Sequence, residues 1–343
     1  MKAWDQGQIL LTGGAGFIGS ALLWELNRRG WEDVLICDSL GQDERFRNLI
    51  PLRFTELLSP SELLDCIGRN EVKLEGISCI FHLGACADTA EHNADFLIRN
   101  NYGFSRQLAE WAVAKGIRFV YASSAATYGA AAPGMPDDEE QLPYLRPLNI
   151  YGYSKHLFDL YARRRGFLSQ IYGMKYFNIF GPNEYHKGPM MSFVPRGVRQ
   201  ISESETLGLF RSCRSDCSDG EQTRDFLYVK DAVRMSLFLA EVPAIQNGAP
   251  TGGIYNIGSG IASRWIDLAR AIADAMGVPL RVEYIDMPEI LKLQYQYHTL
   301  ADIQKLRHLG YDEEITPLKE AVQDYVQRYL LPSHKYLGEE DLS

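Results

Sequence analysis

The sequence predicts an α/β protein with a doubly wound parallel sheet and a smaller, mixed α/β lobe toward the C-terminus. Three observations predict it. Short apolar runs alternate with longer amphipathic stretches through the first half of the chain. The first run leads straight into a glycine-rich turn, Gly13-Gly14-Ala15-Gly16-Phe17-Ile18-Gly19. The second run ends in a carboxylate, Asp38.

Taken in order, QILLT (8–12), DVLICD (33–38), ISCIFHLGA (77–85), IRFVYASS (117–124) and IYGMKYFN (171–178) read as strands. Their continuously apolar centres suit a sheet buried on both faces. Helices are expected between them at 17–29, 61–68, 93–115 and 150–165. Strand–helix alternation means βαβ units, hence parallel pairing with helices on both sides. LRFTELL (52–58) carries only part of a strand signal. Residues 181–225 lose the alternation and are rich in Gly, Pro, Ser and charge. That is too long for an idle connection, so the segment reads as functional or mobile. FLYVK (226–230) and GIYNI (253–257) read as strands, followed by a helix at 263–276, a strand at 281–285 and a helix at 317–330. In the last helix Leu318, Ala321, Val322, Tyr325, Val326 and Tyr329 share one face, which is core packing. The polar tail 332–343 is expected to fray. The expected division is residues 1–178 with about 226–258 as a dinucleotide-binding domain, and about 179–225 with 259–343 as a second lobe.

The chain has 343 residues, 46% hydrophobic and 23% charged, enough to form a sizeable core and too apolar for bulk disorder. The net charge of −9 leaves no excess of Lys and Arg to neutralise a nucleic acid. No apolar run reaches the roughly 18 residues of a membrane helix, and the start shows no signal peptide, so the cytoplasm is expected. The six cysteines then read as reduced thiols. Cys213 and Cys217 lack a second pair or a clustered His, so no metal site is expected.

The glycines have physical reasons. The turn needs backbone angles closed to residues with a Cβ, a pyrophosphate must approach the main chain, and the helix start must pack close to the strand. The free amides and the positive helix end then hold phosphate. Asp38, nineteen residues after Gly19, matches the carboxylate that grips an adenosine ribose. This is the Rossmann arrangement, in a G-x-x-G-x-x-G spacing that resembles the short-chain dehydrogenase/reductase superfamily. Asp38 favours a free 2′-hydroxyl, as in NAD; Arg45, with Arg47, would offset a 2′-phosphate, as in NADP.

Tyr151 and Lys155 stand four apart on the helix at 150–165 and so share a face. An unperturbed tyrosine has a pKa of about 10 and is a poor base near neutral pH. A nearby ammonium and a positive nicotinamide favour the phenolate, so Tyr151 is expected to take a hydroxyl proton as a hydride leaves. Lys155 would also hold the nicotinamide ribose. Ser124, at the C-terminal end of strand 117–124, is placed to hydrogen-bond the same substrate oxygen. Tyr153, the rival base, lacks the four-residue relation to Lys155 and is expected to pack.

FHLGAC (81–86), NNYGFS (100–105), YASSAATYG (121–129), PLNIYGYSKHLFD (147–159), YFNIFGPNEYHKG (176–188) and RDFLYVKD (224–231) resemble the ADP-L-glycero-D-manno-heptose 6-epimerases, extended short-chain dehydrogenases acting on nucleotide sugars. Tyr295-Gln296 and Ala301-Asp302 echo the same family. The resemblance implies that C6 of an ADP-heptose is oxidised to a ketone with hydride passing to NADP, and that hydride returns to the other face. It implies a place in the synthesis of lipopolysaccharide core heptose and a homo-oligomer, often a pentamer. It implies a second base at Lys187, within His186-Lys187-Gly188, which would also lie against the cofactor. Ser39, Leu83, Gly84, Ala85, Cys86, Ala87, Asn100 and Ile179 would lie along the cofactor. Asn178, Pro189, Arg196, Phe210, Arg211, Arg224 and Tyr295 would meet the nucleotide sugar.

The chain departs from the family at several places. Pro189 and Arg196 stand where the family has Ser and His, and Pro60 lies where a family lysine would meet the adenosine phosphate. The segment from Phe210 to Arg224 is longer than usual and carries Arg211, Arg214, Cys213 and Cys217. A UDP-hexose 4-epimerase would share Ser124, Tyr151 and Lys155 without needing Lys187. A 4,6-dehydratase needs an acidic pair after Ser124, where Ala125 and Ala126 stand. A non-catalytic NAD(P) sensor would have no use for the Ser, Tyr and Lys set.

Overall fold

The computed structural model describes residues 7–89, 91–129, 134–292, 295–332 and 335–339. Its first six strands are β1 (Gln8–Thr12), β2 (Val34–Cys37), β3 (Glu56–Leu58), β4 (Ile77–His82), β5 (Arg118–Ser124) and β6 (Ile171–Tyr176). Then come β7 (Asn178–Phe180), β8 (Leu207–Phe210), β9 (Thr223–Tyr228), β10 (Ile245–Gln246), β11 (Ala249–Pro250), β12 (Gly253–Ile257), β13 (Ala262–Arg264) and β14 (Val282–Ile285). Seven of them make one parallel sheet in the order β12-β6-β5-β4-β1-β2-β3. The period of two sorts its side chains between two cores: Ile9, Leu11, Ile36 and Phe81 join one, Leu10, Leu35, Ile80 and Phe119 the other. Both faces are thus covered, as the apolar strand centres require.

The helices that matter for the site are α1 (Phe17–Arg28), α2 (Pro60–Arg69), α3 (Ala94–Leu97), α4 (Phe104–Lys115), α5 (Ile150–Arg164), α6 (Phe193–Ser204), α7 (Val229–Glu241) and α8 (Trp265–Met276). A capping box between Ser59 and Glu62, with Pro60 behind it, starts α2. The helix expected at 93–115 forms as α3 and α4 joined by a π-helical stretch, Ile98–Gly103.

Four expectations need correction. The strand expected at 226–230 ends at Tyr228, and Val229 and Lys230 open α7. Val229, Ala232, Val233, Ser236, Leu237 and Ala240 are buried at helical spacing, with Asp231, Met235 and Leu239 buried beside them, and this burial overrides the local strand signal. The strand expected at 171–178 breaks after Tyr176; Asn178–Phe180 pairs with β9 instead, in a three-stranded sheet with β13. The segment 181–225 is not irregular throughout, since Val194, Val198 and Ile201 bury one face of α6, and β8 pairs with β14. The tail does not simply fray: Leu337 is fully buried and its backbone N–H donates to Asn183 Oδ1 at 2.9 Å. The rest of that expectation (333, 334 and 340–343), and the start read for a leader (1–6), lie outside the described residues. No helix of the described residues is long and apolar enough to cross a membrane.

The order reverses between β1 and β4, whose C-terminal ends leave in opposite directions across the sheet. Ligands of open α/β sheets sit at such a switch point.

Candidate active site

At the switch point Gly13 takes a φ of 73°, and Leu83 N–H donates to Thr12 O at 3.1 Å. A Cβ on Gly13 would lie 2.6 Å from Gly84 N, and one on Gly19 would lie 2.0 Å from Gly13 O. The two glycines therefore let the turn pack backbone to backbone against the end of β4 and the start of α1, which Gly16 caps with its N–H groups toward the turn. This donor set fits a dinucleotide pyrophosphate. Asp38 lies at the far side, its Oδ2 accepting from Ala15 N–H at 2.9 Å and its Oδ1 from Ser39 N–H at 2.7 Å. Burial raises its pKa, and those two amides with Arg45 pull it back. Arg45 forks onto Asp43 at 2.7–3.1 Å and stands 3.8 Å from Asp38. Asn48, missed in the sequence, is buried and joins this turn to a later loop, donating to Ala15 O at 2.9 Å and Asn183 O at 3.1 Å.

Beyond the turn opens a cavity of about 350 Å³. Phe17, Ile18, Leu83, Ala85 and Ala87, from the start of α1 and the loop after β4, line it together with Ser124, Tyr151, Lys155, Asn178, Ile179, Lys187 and Arg196. Gly152 explains how α5 delivers Tyr151: a Cβ there would meet Ala126 O at 2.8 Å, so the helix packs directly on the turn after β5. Asn149 caps α5 by accepting from Gly152 N–H at 2.8 Å. Lys155 Nζ donates to Ala122 O at 2.8 Å. Burial pushes its pKa down to about 8, while Asp159, one turn further, raises it.

The expected lowering of the Tyr151 pKa is not what the structure gives. Burial raises the phenol above its usual value, and a Ser124 hydrogen bond pulls it back in part. The ammonium of Lys155 is turned to the β5 carbonyl, and burial itself weakens it. Tyr153 does not pack as expected; it is 45% exposed.

Lys187 rides on a short turn, Tyr185–Met190, with its ammonium 5.3 Å from the Phe17 ring centre. Burial lowers its pKa and Glu184 raises it. His186 is pushed down to about 4, chiefly by burial, and is uncharged near neutral pH.

Other predicted residues stand outside the cavity lining. Arg224 stacks on Tyr295 at 4.8 Å, and Tyr295 meets Tyr297 edge-on at 5.3 Å. Trp265 bridges this patch to the cavity, lining it while packing edge-on against Phe193 and Phe226. Arg211 is exposed beside Asp219 and Asp286; Phe210 ends β8, and Pro189 is exposed within the Lys187 turn. Asn100 donates to Asn101 Oδ1 at 3.1 Å, and Asn101 does the anchoring: it is buried, accepts from Cys86 N–H at 2.9 Å and donates to Ser154 Oγ at 3.0 Å. The adjacent pair in NNYGFS was the only sequence signal for it.

Behind Ser124 and Lys155 lies a buried set that sequence reading did not find. Asp159 accepts from Tyr121 OH at 2.9 Å, Ser123 Oγ at 2.7 Å and Lys175 Nζ at 3.0 Å. It spans three elements, β5, α5 and β6. Among the described residues no group of three or more His, Cys, Asp or Glu side chains is placed to hold a metal.

A glycine turn at the switch point, a carboxylate at the end of β2 bonded to that turn and a Ser/Tyr/Lys set around one cavity define a nicotinamide-dependent enzyme of the extended short-chain dehydrogenase class. Residues 9–258 match the NAD dependent epimerase/dehydratase family, and the chain belongs to it. It is 43% identical over 328 residues to an ADP-L-glycero-D-manno-heptose-6-epimerase of Nitratidesulfovibrio vulgaris, covering 96% of this chain and 99% of that one. It is 41% identical to the enzyme of that name from Fusobacterium nucleatum, over 96% of this chain and all of the relative. Among solved structures, the Helicobacter pylori ADP-L-glycero-D-manno-heptose-6-epimerase superposes with a TM-score of 0.77 at 26% identity, over 95% of this chain and 97% of that one. A UDP-N-acetylglucosamine 4-epimerase from Methanobrevibacter ruminantium also reaches 0.77, at 25% identity over 95% and 98%.

Proposed function

We propose that the protein interconverts ADP-D-glycero-D-manno-heptose and ADP-L-glycero-D-manno-heptose by inverting C6. The observation that carries this is the convergence of Ser124, Tyr151 and Lys155 with Lys187, from a separate loop, on one cavity. Inverting a carbinol through a ketone takes a proton from the oxygen and later returns one; Tyr151 would serve one step and Lys187 the other, whereas a single-base epimerase would use Tyr151 for both. The near full-length likeness to heptose epimerases supports the sugar.

The glycine turn, Asp38 and Lys155 would hold the nicotinamide cofactor, which supplies reversible hydride acceptance. Ser124 and Tyr151 would orient the C6 hydroxyl, and Tyr151 would take its proton as C6 becomes a carbonyl, the positive nicotinamide when bound offsetting the burial that raises the phenol's pKa. The carbonyl turns its other face, and Lys187 gives the oxygen its proton as the alcohol re-forms. Arg224 stacked on Tyr295, with Arg196, would receive the nucleotide diphosphate, a role suited to guanidinium forks. Substrate binding then falls to about 179–225 with 259–343, and dinucleotide binding to 1–178 with about 226–258.

The cofactor proposed is NADP, with Arg45 meeting the 2′-phosphate. NAD is the second reading, favoured by Asp38 at the same place and by Asp43, which already forks Arg45. A homo-oligomer, pentameric by family likeness, working in the cytoplasm completes the proposal.

Lys187→Ala separates this reading from a UDP-hexose 4-epimerase. Loss of ADP-heptose epimerisation, with cofactor still bound, is the expected result. Undiminished turnover would favour the single-base enzyme.

A further inference from the structure

Glu184 lies three residues before Lys187 and is fully buried. Its Oε1 accepts from Gly181 N–H at 3.3 Å, Ser192 Oγ at 2.7 Å and Tyr325 OH at 3.2 Å, and its Oε2 accepts from Ser192 N–H at 2.5 Å. Two of these partners are backbone amides, which can only donate. Four donors converging on one side chain call for a carboxylate, which only accepts.

The contacts have a geometric consequence. Gly181 and Ser192 are the two ends of the excursion that carries Lys187, and Tyr325 belongs to the last long helix, Leu318–Tyr325. One carboxylate therefore ties both ends of the loop to each other and to the body of the protein. Gly188 within the loop takes a φ of 52°, and Asn183 a φ of 76°, so its path is tightly bent.

The charges around it are arranged to match. Lys187 and Arg196 both line the cavity, and the Glu184 charge raises the pKa of each against the lowering by burial. Burial raises the Glu184 pKa, and Lys187 and the Ser192 and Gly181 amides lower it. His186, the other titratable neighbour on the loop, is uncharged near neutral pH. Tyr185 and Tyr325, packed on the carboxylate, are pushed up by burial and by Glu184 and stay neutral. Tyr151 and Lys155 face the loop from across the cavity.

We propose that Glu184 is a positioning residue for Lys187, closing the 181–192 loop with its carboxylate and keeping a buried negative charge on the loop that carries the Lys187 ammonium. Its functional meaning rests on the reading of Lys187 as a proton-transfer group. Burial lowers the Lys187 pKa and the Glu184 charge opposes that lowering, which favours the ammonium form that would give its proton to the substrate oxygen.

The test reads Lys187 directly. Purified wild-type protein and Glu184→Gln are labelled with acetic anhydride across a pH series, and the midpoint of Lys187 labelling is followed by mass spectrometry. Glu184→Gln removes the charge at nearly the same volume, and also sets an amide donor against one of the four donors. Its midpoint should fall by about one pH unit. Tyr325→Phe keeps the charge and removes one donor; it should leave the midpoint in place and speed amide hydrogen exchange over 182–191. An unmoved midpoint in Glu184→Gln overturns the proposal. Should that variant not fold, wild-type exchange over 182–191 in Tyr325→Phe overturns it instead. Neither readout needs substrate, so both stand apart from the turnover of Lys187→Ala, which tests the proton-transfer reading itself.

Discussion

Replacing Lys175 by Met leaves the buried Asp159 carboxylate without the cation that pairs with it. The Lys175 and Asp159 side chains are 1% and 0% exposed and 3.0 Å apart. After the change Asp159 keeps only Tyr121 OH and Ser123 Oγ, two neutral hydrogen bonds contributing about 1 kcal/mol each. They cannot compensate an unpaired buried charge, and breaking such a pair costs about 3–5 kcal/mol. Methionine nearly matches the lysine stem in volume, so little cavity cost is added. The expected loss is therefore about 3–4 kcal/mol, read by urea unfolding followed by circular dichroism with the slope unchanged. Asp159→Asn together with Lys175→Met removes both charges and should recover most of the loss. A single variant within about 1 kcal/mol of wild type, or a double variant worse than the single, would refute this reasoning.

Other outcomes follow from the site. Tyr151→Phe should lower epimerisation by about 10²–10⁴ while cofactor affinity stays within about twofold, measured by turnover and fluorescence titration. Burial holds Lys155 at about 8, so its ammonium is present below that pH and lost above it. Turnover should fall as pH rises through about 8, and a flat profile to pH 10 would contradict the role given to Lys155. Arg45→Ala should weaken NADP binding about 10–100-fold and spare NAD, because a charged hydrogen bond is worth about 1.5–3 kcal/mol; equal losses for both would remove Arg45 from the 2′ position. Gly19→Ala places a Cβ 2.0 Å from Gly13 O and should abolish dinucleotide binding.

Much of the fold was legible because its signals are local. QILLT followed by the glycine turn, and the four-residue step from Tyr151 to Lys155, state their geometry within a few residues. Strands buried on both faces announce themselves as apolar runs, and five of them fell where expected apart from their ends. What escaped depends on partners distant in sequence. Val229 and Lys230 look like strand residues until the buried face of α7 is counted over the following ten positions. The amphipathic spacing of Val194, Val198 and Ile201 was present but lost among Gly, Pro and Ser. Asp159, Asn48 and Glu184 gave no signal, because a lone polar residue is read as solvated until its partners converge on it from other elements. The direction of the Tyr151 shift was missed for a related reason. Spacing puts Lys155 on the same face but cannot say that its ammonium turns to Ala122 O.

The central claim is tested most directly by giving the purified protein ADP-D-glycero-D-manno-heptose, with no cofactor beyond what it carries or what is confirmed bound, and following the C6 configuration by NMR. The account predicts growth of the L-glycero signals toward a fixed ratio, with no net oxidation of the sugar and no net consumption of cofactor. Substrate that keeps its C6 configuration beside protein with bound nicotinamide dinucleotide would contradict it.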